Sequence, residues 1–291
     1  MLLEFEQYLL TEKRYSDHTL KAYLVDVQQF MQFLHKDEAI DPKLVKSSDV
    51  RSWVVTLFDE GATRKTINRK LSSLRTYFKW LKKEGLVELN PLTKVNGPKS
   101  EKRLPQFAKE SELKKEKLEH VFSNDFEGSR DRLMFEFFYQ TGMRLSELIG
   151  LKESDVTEST IRVLGKRNKE RLLPISNELS KQIDQYRKLK KGLGISSIIF
   201  FVLENGNNLY SKFVYRKINY YLGGVTNLDK TSPHVLRHTF ATHMLNNGAG
   251  LETLKDLLGH ASLSATQVYT HNSFAQLTRI YSQAHPRGHK K

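Results

Sequence analysis

HVLRHTFATHML, residues 234–245, and LLGHASLSATQVYTH, residues 257–271, decide how this chain is read. Both stretches otherwise look like packed helix, yet they place His234, Arg237, His260 and Tyr269 among apolar neighbours. Pro233 suits the first position of a helix, because its missing N–H is one that no helix could use there. Arg237 follows His234 by three residues and so shares nearly the same helical face, one turn along. His260 closes a second helix, LETLKDLLGH, just after Gly259, and Tyr269 follows nine residues later. Polar groups gathered in this way suggest one reacting atom. His234 and His238 have the four-residue spacing of a metal pair, but the glutamate of the zinc-protease pattern is missing and no acidic third ligand is near, so no metal is expected.

Upstream, QTGMRLSEL at 140–148 breaks at Thr141 and Gly142 and starts a new helix, which predicts the Arg144 guanidinium near the positive end of that helix dipole. Between the two, STIRVLGKRNKERLLPI alternates around Ile161, Val163, Leu173 and Ile175, with a glycine- and lysine-rich turn, and predicts a β-hairpin. Helices are expected near 110–122 and over SRDRLMFEFFYQTG. In the first ninety residues Leu20, Tyr23, Leu24, Val27, Phe30, Met31 and Leu34, then Ile67, Leu71, Leu74, Phe78 and Leu81, recur at three-and-four spacing. With helices near 2–12 and 47–60 they make a bundle of about four. The fold class is therefore mainly α: an N-terminal helical bundle, 1–89, a linker, 90–106, and a mostly helical domain with a small hairpin, 107–291. Three prolines, a glycine and Lys94, Lys99, Lys102 and Arg103 interrupt all periodicity in the linker, so the two domains are expected to close as a clamp.

Lysine and arginine outnumber aspartate and glutamate 47 to 33, a net +14 that suits a polyanionic partner, nucleic acid first. The outer face of the 64–83 helix concentrates this excess in Arg64, Lys65 and Arg69, with Ser72 beside them, and is read as a DNA-binding face. The absence of cysteine excludes disulfides, thiolate catalysis and cysteine-held zinc. The longest apolar run, IIFFVL at 198–203, is far too short to cross a bilayer, and acids stand near the N-terminus where a signal peptide carries bases. A cytoplasmic protein without a membrane role is expected.

Taken together, TGMRLSEL, HVLRHTFATHML, LLGHASL and VYTH, in this order and spacing, resemble the tyrosine recombinases, and within them the bacterial Xer type. The likeness spans nearly the whole chain, including a tail, HPRGHKK, similar to those of Xer proteins. The resemblance implies a core-binding domain of SAM-like type followed by a catalytic domain. It implies that Tyr269 is the nucleophile that becomes joined to a DNA 3′ phosphate, that Arg144 and Arg237 clamp the non-bridging oxygens, and that His234 and His260 handle protons. Lys166 would protonate the departing 5′ oxygen, although Lys169 lies in the same turn. It further implies double-stranded DNA as substrate and a homo- or hetero-tetramer with a paralogous recombinase on two DNA sites. A DNA translocase is admitted as a further partner. Neither ATP, metal nor other cofactor is required, since fixed arginines can meet the charge that builds on the phosphate.

On this reading the enzyme resolves chromosome dimers at a dif-like site at cell division. Two alternatives stay open: an integrase of a mobile element, against which the compact N-terminus leans, and a catalytically silent DNA-binding regulator. Each residue also has a bland reading. Tyr269 is one of twelve tyrosines, Arg144 could pair with Glu147, His234 could cap its helix and Lys166 could be an ordinary turn lysine. His238, His243 and His271 are read as structural. Phe274, Leu277 and Tyr281 fall on one face of a last helix, suited either to a neighbouring subunit, as in the family, or to the chain's own domain.

Overall fold

The three-and-four spacing of the first part becomes four helices: α1 (Leu2–Thr11), α2 (Asp17–Leu34), α3 (Ser47–Asp59) and α4 (Arg64–Lys83). The computed structural model describes residues 1–34, 41–99, 106–165, 170–259 and 271–288, with only the backbone at 271–273. Thr63 caps α4 by accepting the Thr66 N–H at 3.2 Å, relieving one of the donors that a helix start leaves unpaired. The faces predicted to be apolar meet in a core of Phe5, Val27, Phe30, Trp53, Leu71, Leu74 and Phe78. One carboxylate, Asp26 of α2, is buried there and met by Arg69, by Lys70 at 3.2 Å and by the Ser73 hydroxyl at 2.7 Å, all from α4.

Residues 90–99, expected to belong to a free connector, are packed on this unit. Leu92 and Val95 are buried in its core. Arg75 donates to the Val95 carbonyl at 2.7 Å and Asn68 to that of Pro98 at 2.8 Å. Prolines and a glycine break helical periodicity without freeing the chain, because side chains of α4 supply the hydrogen bonds that its backbone lacks.

The second unit runs from Leu104 onward. Its elements are α5 (Lys115–Leu118), α6 (Phe126–Thr141), α7 (Leu145–Ile149), β1 (Thr160–Leu164), β2 (Glu170–Pro174), α8 (Asn177–Gly192), α9 (Ser211–Val225), α10 (Pro233–Asn246), α11 (Leu251–Leu258) and α12 (His271–Ala284). The strands pair antiparallel, Ile161 opposite Leu173 and Val163 opposite Arg171, as the alternation predicts. The helix expected near 110–122 shrinks to α5: its anchors Leu113, Leu118 and Phe122 reach the core from successive turns, whose i to i+3 bonds take the place of a continuous helix. No helix among the described residues is long and apolar enough to cross a membrane.

α6 is the central helix, packed by α8, α9 and α10 and buried all round at Leu133, Met134, Phe135, Phe137 and Phe138. It ends at Gly142, whose φ of +61° is a left-handed conformation that turns the chain toward α7. A β-carbon there would lie 2.5 Å from Phe240 and 2.9 Å from Leu258. Both conformation and space therefore require glycine.

The stripe on α12 packs on the chain's own unit, with Leu277, Tyr281 and Ala284 buried. Below it lies a polar latch. His285 Nε2 donates to the Tyr139 carbonyl at 3.1 Å, while its Nδ1 accepts the Arg287 N–H at 3.0 Å, which fixes the neutral tautomer. The Arg287 guanidinium reaches Glu136 at 3.2 Å and the Leu113 carbonyl at 2.8 Å. His243 is likewise a core residue, donating to the Ala108 carbonyl at 2.9 Å and accepting from the Tyr139 hydroxyl at 3.1 Å.

Two outcomes follow. Gly142→Ala must adopt a left-handed conformation and push back Phe240, at a cost of about 3 kcal/mol, read as a lower urea midpoint. Burial holds His285 down at about 3 against an ordinary 6.5, so its contribution to stability is whole above 6.5 and is lost as pH falls toward 3. Amide exchange over 277–287, corrected for intrinsic rate, should speed up between pH 7 and pH 4 in the wild type, and His285→Gln should flatten that dependence.

Candidate active site

Three arginines converge on the last carbonyls of α11. Arg144 Nη2 donates to the Gly259 oxygen at 2.9 Å, Arg237 Nη2 to the Leu258 oxygen at 2.7 Å and Arg171 Nε to the Leu257 oxygen at 2.8 Å. A helix end leaves such carbonyls without partners and carries partial negative charge, so cations are the fitting caps. Each arginine comes from a different element. Arg144 stands just before α7, Arg171 lies on β2, and Arg237 projects from α10, where its Nη1 also donates to the Gly142 carbonyl.

Beneath them lies Glu147 of α7, its side chain 3% exposed. Its Oε1 accepts from Arg144 Nη1 at 2.7 Å and from Arg171 Nη1 at 2.9 Å. Its Oε2 accepts from the Arg144 backbone N–H at 2.7 Å and from Arg171 Nη2 at 2.8 Å. Burial alone would raise this carboxyl, but the hydrogen bonds and charge of Arg171, joined by Arg144, pull it down to about 2. Burial, then the charges of Arg144 and Arg171, lowers Arg237 to about 10, which still leaves it cationic at neutral pH.

Arg144 stands at the N-cap of α7, as expected, with Glu147 of that first turn beside it. Its guanidinium bridges Glu147 and the negative end of α11, a carboxylate and an orphan carbonyl offsetting the helix N-terminus that would otherwise repel a cation. The pairing with Glu147, the bland alternative for Arg144, is real and buried on the glutamate side. Arg144 keeps 35% of its side chain exposed. Among the described residues, the bonds of Arg144 and Arg237 engage Nη1 and Nη2 once each.

His234 is exposed in the first turn of α10 and does not cap it; the Ser232 hydroxyl does, accepting the Val235 N–H at 3.3 Å. His238 is half-buried and held below its ordinary range by burial first and by the neighbouring His234 second. Lys166, Lys169, His260 and Tyr269 lie outside the described residues. β1 and β2 flank the two lysines in sequence, and Gly259 directly precedes His260.

Sequence reasoning missed Arg171 and undervalued Glu147. The signal for Arg171 was there: it shares strand parity with inward-facing Leu173, so a charged residue sits at a buried position. In the other unit, Arg64, Lys65, Arg69 and Ser72 are all exposed along α4. Arg69 is tied at its tip to Asp26, Arg64 reaches the Lys99 carbonyl at 3.5 Å, and the Ser72 hydroxyl donates to the Asn68 carbonyl at 2.9 Å.

Residues 2–85 match the N-terminal SAM-like domain of phage integrases, and residues 111–276 match the phage integrase family. The chain is 40% identical to Tyrosine recombinase XerC of Bacillus licheniformis over 98% of its own length and 96% of that protein's. It is 36% identical to Tyrosine recombinase XerC of Chlorobaculum tepidum, over 98% of this chain and 94% of the relative. Among solved structures, the XerH site-specific recombinase bound to palindromic difH substrate has a TM-score of 0.69 at 20% identity, covering 97% of this chain and 84% of that one. A lambda integrase dimer bound to a core site has a TM-score of 0.66 at 20% identity, covering 92% of this chain and 98% of that one. The structural likenesses establish the fold alone, whereas the family matches and the relatives, spanning the chain almost end to end, establish descent: the chain belongs to the phage integrase family and is a site-specific tyrosine recombinase of the Xer type.

Proposed function

We propose that the chain cuts and rejoins DNA through a 3′-phosphotyrosyl intermediate on Tyr269, with Arg144 and Arg237 holding the scissile phosphate. The observation that carries this reading is the meeting of those two guanidiniums at the end of α11, one residue before His260 and ten before Tyr269. The Tyr269 oxygen attacks phosphorus, the bond to the 5′ oxygen breaks, and Lys166 gives that oxygen its proton. A 5′ hydroxyl from a second duplex then attacks the phosphotyrosine and restores both the phosphodiester and the phenol. Negative charge grows on the non-bridging oxygens during each displacement, and two preorganised guanidiniums stabilise it without rearranging at the moment of reaction. His234 and His260 assist by hydrogen bonding and proton transfer.

Relatives named XerC support a role in resolving chromosome dimers, and we place that reaction at a dif-like site, together with a paralogous recombinase. A lambda integrase tetramer bound to a Holliday junction shares the fold and supports a four-subunit assembly on two DNA segments. The α4 face of Arg64, Lys65, Arg69 and Ser72 contacts the duplex backbone, and Asp26 orients Arg69 there.

Incubation with a duplex nicked near the site traps a covalent protein–DNA adduct. Tyr269→Phe abolishes it, and Arg144→Ala or Arg237→Ala slows its formation by roughly 10²–10³-fold, as loss of one preorganised donor does. A mobility shift without any adduct would instead mark a silent DNA-binding protein. Mapping the adducts on chromosomal DNA separates a single dif-like locus from the boundaries of a mobile element. For the α4 face, Lys65→Ala and Arg69→Ala should each weaken binding across all sequences and reduce the slope of log K against log salt by about 1.

A further inference from the structure

We infer that Arg171 is a positioning residue of the cleavage site: it grips Glu147 and the end of α11 so that Arg144 faces the phosphate with its charge uncompensated. This rests on the proposed role of Arg144 and Arg237. Arg171 itself cannot meet substrate, since its side chain is 4% exposed and Nε, Nη1 and Nη2 are all engaged inside the protein. Its planar fork spans both oxygens of Glu147 at 2.9 and 2.8 Å, a geometry that lysine cannot reproduce.

Charge accounting gives the reason for a third arginine. Glu147 carries one negative charge and touches Arg144 directly. With Arg171 in place that charge is balanced from behind, so Arg144 and Arg237 together present two positive charges to a phosphate. Without it, Glu147 is buried with Arg144 as its sole remaining ionic partner among the described residues, and Arg144 is both neutralised and drawn inward. The same side chain also sets where α11 ends. A β-carbon on Gly259 would lie 3.1 Å from Arg171 Nη1 and 3.3 Å from its Cδ. The residue whose carbonyl accepts from Arg144 therefore rests on the Arg171 side chain.

The test measures single-turnover cleavage of the nicked duplex by the full chain, alongside DNA affinity and melting temperature. Arg171→Gln should cleave about 10²-fold more slowly, the scale expected of a misplaced reacting geometry, with affinity changed less than about threefold. Arg171→Lys should recover part of the rate. The double variant Arg171→Gln with Glu147→Gln should cleave faster than Arg171→Gln alone, because the unbalanced carboxylate is gone; a purely structural role gives no such rescue. Should Arg171→Gln fail to melt cooperatively, Arg171→Lys, which keeps the buried cation, carries the comparison. Wild-type cleavage by Arg171→Gln or Arg171→Lys, or a double variant slower than the single, overturns the inference. Arg144→Lys and Tyr269→Phe run beside them: if either cleaves normally the site reading itself fails, whereas their loss with an active Arg171→Gln defeats only the role given to Arg171.

Discussion

Three guanidinium groups sharing one helix end, two of them also sharing one buried carboxylate, form the constraint on which the rest of the structure depends. Cations removed from water are costly unless each finds an oppositely charged or carbonyl partner, and here, apart from the local pairing of Arg144 with Glu147, the partners come from distant segments of chain. Arg144 needs Glu147 and Gly259, Arg171 needs Glu147 and Leu257, and Arg237 needs Gly142 and Leu258. No fragment of the chain can assemble this set alone. The set forms only where the start of α7, β2, α10 and the end of α11 meet.

The surrounding architecture serves that arrangement. α6 is buried on every side and so fixes where the chain turns at Gly142, whose carbonyl is one of the arginine acceptors. Phe240, from the helix that carries Arg237, fills the space a β-carbon would need at Gly142. The hairpin delivers Arg171 from β2, tying the strands that flank Lys166 to the same carboxylate that holds Arg144. On the far side of α6, Tyr281, His285 and Arg287 anchor the segment that follows Tyr269 in sequence to Gln140, Tyr139 and Glu136. The segment that contains Tyr269 is thus flanked in sequence by α11, whose end Arg144, Arg171 and Arg237 hold, and by α12, which is fastened to α6.

Much of this was legible in the sequence, and what was not has physical causes. Periodicity located α1 to α4, α6 and the hairpin, because burial on one face imposes spacing that single residues reveal. Pro233 and the left-handed Gly142 marked real boundaries. Arg144 and Arg237 were legible as a pair on separate segments, and Glu147 as a possible partner of Arg144, but their carbonyl partners were not, since hydrogen bonding to the carbonyls of Gly142, Leu258 and Gly259 leaves no trace in residue identity. Arg171 was passed over for the same reason: a lone charged residue in a strand reads as solvent-facing until its parity with Leu173 is noticed. The packed stretch 90–99 and the truncated helix at 115–118 show a further limit. Prolines, glycines and irregular anchor spacing announce the absence of a long helix, not whether the chain is free or held.

The central claim is that Arg144 and Arg237 act on the charge of the non-bridging phosphate oxygens. It is tested most directly by measuring cleavage of a duplex whose scissile phosphate has one of those oxygens replaced by a methyl group, which removes its negative charge. The account predicts that the deficit of Arg144→Ala or Arg237→Ala, large on the natural phosphate, shrinks markedly on the neutral one. An equal deficit on both substrates would contradict it.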